Sequence, residues 1–170
     1  QADSEAAHAF AHDFDFTLDY WEGQLKTINE ETAVRENIYT SLKVEKMASD
    51  EAGAEYRLTF IYETADGQRR RERMTLDYQA EGGAVLLNGE SWTIEERAFG
   101  GGEHGAENKL KLSRPAELEG EPVLLTITFF SDFKTLSIIE SSQFLNSGES
   151  VLGDTHLYDW RTVRFEGAGS

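Results

Sequence analysis

The sequence predicts an all-β protein: one antiparallel up-and-down β-barrel of about 8–10 strands, with a short N-terminal helix or arm. Three observations predict it. From Asp19 onward, alternating apolar and polar runs rich in β-branched and aromatic residues recur, each bounded by Gly, Asn, Asp or Pro. The links between these runs are too short for the crossover helices of a parallel sheet. Strand-like runs also stand at both ends of the region, Asp19-Tyr-Trp-Glu-Gly-Gln-Leu25 and His156-Leu-Tyr-Asp-Trp-Arg-Thr-Val-Arg164, so the first and last strands can meet and close the sheet.

In chain order, residues 3–13 carry Ala, Glu and His with little β-branching, which suits a short helix or ordered arm able to plug one barrel end. Strands are expected over 19–29, 35–48, 54–64, 69–80, 84–88, 91–98, 108–114, 122–131, 135–145 and 155–166. Ala65-Asp66-Gly67, Glu81-Gly82-Gly83 and Asn88-Gly89 offer the positive-φ residues that tight hairpins require. Gly100 to Gly105 reads as a flexible loop and Arg114-Pro115 to Pro122 as a second irregular stretch, either one a candidate border of the barrel mouth. The length of 170 residues suits one domain, divided into an arm over 1–18, the barrel over 19–166 and a tail over 167–170.

Strand alternation sorts the side chains by face. Tyr56, Leu58, Phe60 and Tyr62 share the inward side of one strand. The same rule turns inward Trp21 and Leu25; Ile38, Leu42 and Val44; Met74, Leu76 and Tyr78; Trp92 and Ile94; and Leu125, Ile127 and Phe129. On the ninth strand Leu136, Ile138, Glu140, Ser142 and Phe144 fall on one side, a mixture of apolar and polar groups unusual in a solid core.

Composition narrows the function. A net charge of −16, from 32 acidic and 16 basic residues, repels nucleic acid and anionic lipid, so neither is an expected partner. No apolar run reaches the ~20 residues needed to span a bilayer, so no integral membrane association is expected. The absence of cysteine excludes disulfides, thiolate metal sites and cysteine nucleophiles. The polar start Gln1-Ala-Asp-Ser-Glu-Ala-Ala-His8 reads as the end left by signal-peptide removal, which leads to the expectation of a secreted or periplasmic, bacterial protein.

Phe16-Thr-Leu-Asp19-Tyr-Trp21-Glu-Gly23, Tyr62-Glu-Thr-Ala-Asp-Gly67, Asn88-Gly-Glu-Ser-Trp92-Thr and Tyr158-Asp-Trp160-Arg-Thr-Val-Arg164 together resemble the lipocalin-like (calycin) β-barrels. The likeness is greatest to secreted bacterial lipocalin-like proteins of unassigned function. It implies a barrel that binds a small apolar or amphipathic molecule, and it implies no catalytic residue. It also implies that Trp21 packs beneath a late-strand arginine, Arg161 or Arg164, in a cation–π contact closing the barrel base. The glycine that the family carries two residues before this tryptophan is Asp19 here.

The expected function is therefore binding of a small hydrophobic or amphipathic ligand inside a monomeric or homodimeric barrel. Tyr56, Phe60, Tyr62, Tyr78, Trp92, Phe129 and Ile138 are the expected pocket walls, with Glu140 or His156 orienting the ligand. One alternative is a barrel enzyme of isomerase, cyclase or dehydratase type. It would use a buried Glu140–His156 or Glu140–Tyr158 couple, because a desolvated carboxylate has a raised pKa suited to proton transfer. The other is a structural or protein-binding barrel with a filled core.

The remaining motifs have simpler explanations. His8 and His12, four residues apart beside Asp13 and Asp15, read as a solvated helix end, since a metal site needs more ligands, and no metal is expected. His156 stands where nitrobindin-like barrels hold a haem ligand, but their first-strand glycine pattern is missing, so no cofactor is expected. Gln68-Arg-Arg-Arg-Glu-Arg73 begins a strand, so its arginines alternate between faces and form no single patch.

Overall fold

The computed structural model describes residues 13–28, 34–50, 53–64, 66–79, 84–98, 107–132 and 134–161. After a short 3-10 helix, Asp13–Thr17, come ten strands: β1 Asp19–Ile28, β2 Arg35–Asp50, β3 Gly53–Glu63, β4 Arg69–Gln79, β5 Ala84–Leu87, β6 Glu90–Ala98, β7 Glu107–Leu118, β8 Glu121–Asp132, β9 Thr135–Phe144 and β10 Ser150–Arg161. Each pairs antiparallel with its sequence neighbour, and β1 pairs antiparallel with β10, closing the barrel. All ten expected strands are present. Among the described residues no helix is long and apolar enough to cross a membrane.

Closure depends on a glycine. At the seam Gly23 lies between Tyr158 of β10 and Thr40 of β2, and a Cβ built at position 23 would stand 1.8 Å from the Leu157 carbonyl oxygen. A side chain there would push β1 and β10 apart. Across the same position of β1 the Tyr158 hydroxyl reaches Thr40 Oγ1, at 3.4 Å.

Because successive strands run in opposite directions, one barrel end gathers the chain before β1 and the β2–β3 connection. The other gathers the β3–β4, β5–β6, β7–β8 and β9–β10 turns. The first end is solid. Phe14 of the 3-10 helix is fully buried, edge-on to Tyr56 at 5.0 Å and to Phe129 at 5.2 Å. Each such aromatic pair contributes about 0.5–1.5 kcal/mol beyond area burial. The plug is also anchored by polar bonds, with the Tyr56 hydroxyl donating to Asp15 at 2.6 Å and Lys46 donating to the same carboxylate at 3.0 Å. The expected plugging of one end is thus made by residues 13–17, while the helix expected over 3–13 lies outside the described residues but for Asp13.

Trp21 is buried at this base as expected, 2% exposed. Its indole Nε1 donates to the Thr17 carbonyl at 2.9 Å, which ties the plug to the first strand. Arg164 and the Arg161 side chain, the expected partners, lie outside the described residues. So does the 100–105 loop.

The stretch from Arg114 to Pro122 corrects the sequence reading. It is regular: β7 runs through Pro115 to Leu118 and turns in two residues into β8. Beyond Ser113 β7 has left β6, and Pro115 pairs only toward Leu124 of β8, a ribbon position that tolerates a missing N–H. The turn has positive φ at both Glu119 (53°) and Gly120 (82°), as a type I′ hairpin requires. Asn88 (52°) and Gly89 (79°) form the same turn where it was expected.

Two outcomes test this architecture. Phe14→Ala should cost about 3–5 kcal/mol in denaturant unfolding, as a large-to-small change in a closed core. Gly23→Ala should strip amide-exchange protection from β1 and β10 while the β3–β4 hairpin keeps its own; uniform protection in that variant would contradict the role given to the seam.

Candidate functional site

Above the aromatic floor the interior is hollow. A cavity of about 270 Å³ occupies the half of the barrel nearest the turns. Its walls follow from strand alternation. Phe60 and Tyr62 point in from β3, Met74 and Glu72 from β4, Ile127 from β8, Ile138 and Glu140 from β9, and Asp154 and His156 from β10. Asn88 closes the side at the β5–β6 turn, its Oδ1 accepting from the Thr75 amide at 2.9 Å.

The wall is continuous across the barrel. Phe60 and Tyr62 lie parallel, 1° between ring planes with centroids 6.2 Å apart. The His156 ring approaches both, at 5.1 Å from Phe60 and 6.1 Å from Tyr62. His156 Nδ1 lies 2.8 Å from the Tyr158 hydroxyl, which in turn contacts Thr40 Oγ1, and Thr40 donates to the Ser41 carbonyl at 3.5 Å. This relay fixes the imidazole. Its other nitrogen, Nε2, makes no hydrogen bond among the described residues although the residue is only 5% exposed.

The acidic side of the cavity rests on a bulge. Between Leu152 and Thr155, β10 carries one residue more than β9 opposite it, so Gly153 and Asp154 together face Glu140. A Cβ on Gly153 would sit 3.1 Å from the Glu140 carbonyl and 3.3 Å from its Cβ, which is why the extra residue is a glycine. Asp154 stands two residues before His156 on the same face of β10 and lines the cavity, where it accepts from Thr27 Oγ1 at 2.7 Å.

Glu140 itself makes no hydrogen bond or ion pair among the described residues. Burial, reinforced by the Asp154 and Glu72 carboxylates, pushes its pKa up to about 7. Burial pushes His156 the other way, down to about 4, against the pull of Asp154. Near pH 6 both groups are therefore neutral inside the cavity. Burial likewise raises the phenols of Tyr62 and Tyr158.

Of the residues expected to bind ligand, Phe60, Tyr62, Ile138, Glu140 and His156 line this one cavity. The other four do not. Tyr56 and Phe129 form the aromatic floor around Phe14, Tyr78 is fully buried in the packed core, and Trp92 lies partly buried against it. Alternation places all four inward but says nothing of their height along the barrel axis. Of the three catalytic candidates, Glu140 and His156 share the cavity, and Tyr158 stands behind His156 as its hydrogen-bond partner. Sequence reasoning missed Glu72, Asn88 and Asp154. For Asp154 the signal was its place two residues before His156, just outside the run over 155–166 in which the last strand was expected. His8 and His12 lie outside the described residues, and among the described residues no group of three or more His, Asp or Glu side chains could hold a metal ion.

No family model and no curated protein matches the chain. Among solved structures it is similar to an S-type phycobiliprotein lyase from Guillardia theta, with a TM-score of 0.54 over 96% of this chain and 99% of that one, at 8% sequence identity. At that identity the likeness concerns the fold, and the chain is a lipocalin-like barrel.

The opposite shifts of Glu140 and His156 have opposite signs in stability. Glu140 is raised from 4.5 to about 7, so the stabilisation from its protonated form is full below pH 4.5 and is lost as pH climbs through 7. His156 is lowered from 6.5 to about 4, so its contribution is full above pH 6.5 and is lost as pH falls toward 4. Thermal melts of Glu140→Gln should match wild type at pH 4 and exceed it at pH 8. Equal midpoints at pH 8 would mean that Glu140 is in water.

Proposed function

We propose that this barrel binds one small amphipathic molecule in its half-hollow interior, reached from the end that carries the turns. The observation that carries the reading is the cavity itself. Phe60, Tyr62, Ile127 and Ile138 give it an apolar wall, while Glu140 and His156 Nε2 face it without partners among the described residues. A ligand that pairs with these groups makes its hydrogen bonds in a low-dielectric space, where they are electrostatically stronger than in water.

The volume limits the ligand. At about 270 Å³ the cavity lies just below the usual ~300–1,000 Å³ of ligand pockets, which suits a single ring or a short chain. The fold likeness to a phycobiliprotein lyase supports a barrel that handles small molecules without naming this one. A filled, purely structural interior fits only the plugged half.

A second reading, a proton-transfer enzyme on an apolar substrate, draws on one specific observation. Glu140, with its pKa near 7, shares the cavity with a neutral histidine, the poise that general acid–base catalysis favours. Binding without turnover distinguishes the carrier from this enzyme.

Indole serves as a neutral probe. Its titration, followed by NMR, should shift Phe60, Tyr62, Ile138 and His156 saturably while Tyr56 and Phe129 at the floor stay put. Ile138→Trp, which fills the cavity from its wall, should abolish those shifts in a protein that still melts cooperatively. Shifts spread over the barrel exterior, or unaffected by Ile138→Trp, would sink the interior site.

A further inference from the structure

The polar side of the cavity is built to accept hydrogen bonds. The relay behind His156 has three contacts: Nδ1 to Tyr158 Oη, Oη to Thr40 Oγ1, and Oγ1 to the Ser41 carbonyl. Each contact needs one proton. The two hydroxyls supply two of them, and the terminal carbonyl can only accept, so the third comes from Nδ1. A neutral imidazole protonated at Nδ1 presents a bare lone pair at Nε2, and His156 is neutral at physiological pH. That lone pair belongs to a residue 95% buried by its 5% exposure, and it has no donor among the described residues.

The charges around the same space are mostly negative. Glu140 has no cationic partner among the described residues. The charged groups near it are Asp154 on β10, which among the described residues accepts from the Thr27 hydroxyl, and Glu72 on β4, whose ion pair is with exposed Arg70 at 2.9 Å. Arg73 borders the cavity, but it is exposed, alternates outward beside inward Met74, and makes no ion pair among the described residues. From β8 the residue opposite Glu140 is Ile127, which adds no charge. Two or three carboxylates and a histidine lone pair thus converge beside parallel aromatic rings, whose faces also attract cations.

We propose that the ligand is a small amphipathic amine, its ammonium group held by Glu140, Asp154 and His156 Nε2 and its apolar body packed on Phe60, Tyr62 and Ile138. This rests on the interior-binding reading above and specifies the chemical class. A primary ammonium has three N–H donors and matches three acceptors of this arrangement. A carboxylate ligand would add a further anion to an anionic wall, and an uncharged one would leave Glu140 without a counter-charge.

The test is calorimetric titration of the whole chain with three probes of one shape: 2-phenylethylamine, 2-phenylethanol and 3-phenylpropanoate. At pH 8 the amine should bind at least ~10-fold tighter than the alcohol, with the acid weakest. A primary amine stays protonated throughout, so between pH 5.5 and 8 the group that changes charge is Glu140. If only its ionised form binds the ammonium, a midpoint of about 7 makes the amine about 30-fold tighter at pH 8 than at pH 5.5, with the alcohol unchanged. Binding of the amine at pH 7 should also release protons, read from the dependence of the enthalpy on buffer. Glu140→Gln should reduce the amine to the affinity of the alcohol, and Asp154→Asn provides the same comparison should the first variant fail to fold. Equal affinity for amine and alcohol, pH-independent amine binding, or a preference that survives both substitutions would overturn the ammonium assignment while leaving interior binding intact. Failure of all three probes to bind would overturn both.

Discussion

Closure of the sheet between β1 and β10 is the constraint from which the remaining features follow. Once Tyr20 to Lys26 pair with Thr155 to Arg161, no strand is an edge, and alternation along each strand becomes a strict division between interior and surface. The cavity depends on it as well. Its aromatic wall comes from β3 and its imidazole from β10, brought near each other by β2, β1 and the seam, and the Phe60 and His156 rings stand 5.1 Å apart. Gly23 sits where these demands meet: the strands can approach only because it has no side chain, and its two register partners, Tyr158 and Thr40, carry the relay behind His156.

The interior is divided along its axis by chemistry rather than by length. At the plugged end the polar groups are satisfied locally, Asp15 by Tyr56 and Lys46, and Trp21 by the Thr17 carbonyl. At the open end polar groups are carried into a low-dielectric space and left facing it. Their pKa shifts are the electrostatic record of that choice: Glu140 and His156 each favour the neutral form, for the same reason and in opposite directions. Between about pH 4.5 and 6.5 the proton that Glu140 keeps on folding offsets the one His156 gives up, so the pair contributes almost no slope to stability across that interval.

The strand count and the inward faces were legible in the sequence because a period of two is a direct imprint of the pleat. Phe60, Tyr62, Ile138, Glu140 and His156 were found in this way. Tyr56, Tyr78, Trp92 and Phe129 were not separable from them, since alternation reports which side a residue faces and not how far along the barrel it sits. The turn at Glu119 was hidden because glutamate seldom adopts positive φ, and Pro115 suggested an irregular stretch where a two-stranded ribbon tolerates it. Asp154 shares the face of His156 two residues on, but it stands just before the expected start of the last strand at 155, where Gly153 and its bulge interrupt the alternation.

The seam also sets an order of events in the life of the chain. Every pairing but one joins consecutive strands, so hairpins can form locally as the sequence emerges. The exception pairs Tyr20 with Arg161, almost the full length of the barrel apart in sequence. Until the last strand is available, β1 offers a row of unpaired amides and carbonyls to whatever lies nearby. The step that encloses the cavity is thus also the step that ends the chain's exposure to aggregation, and it waits on the final residues of the barrel to be synthesised.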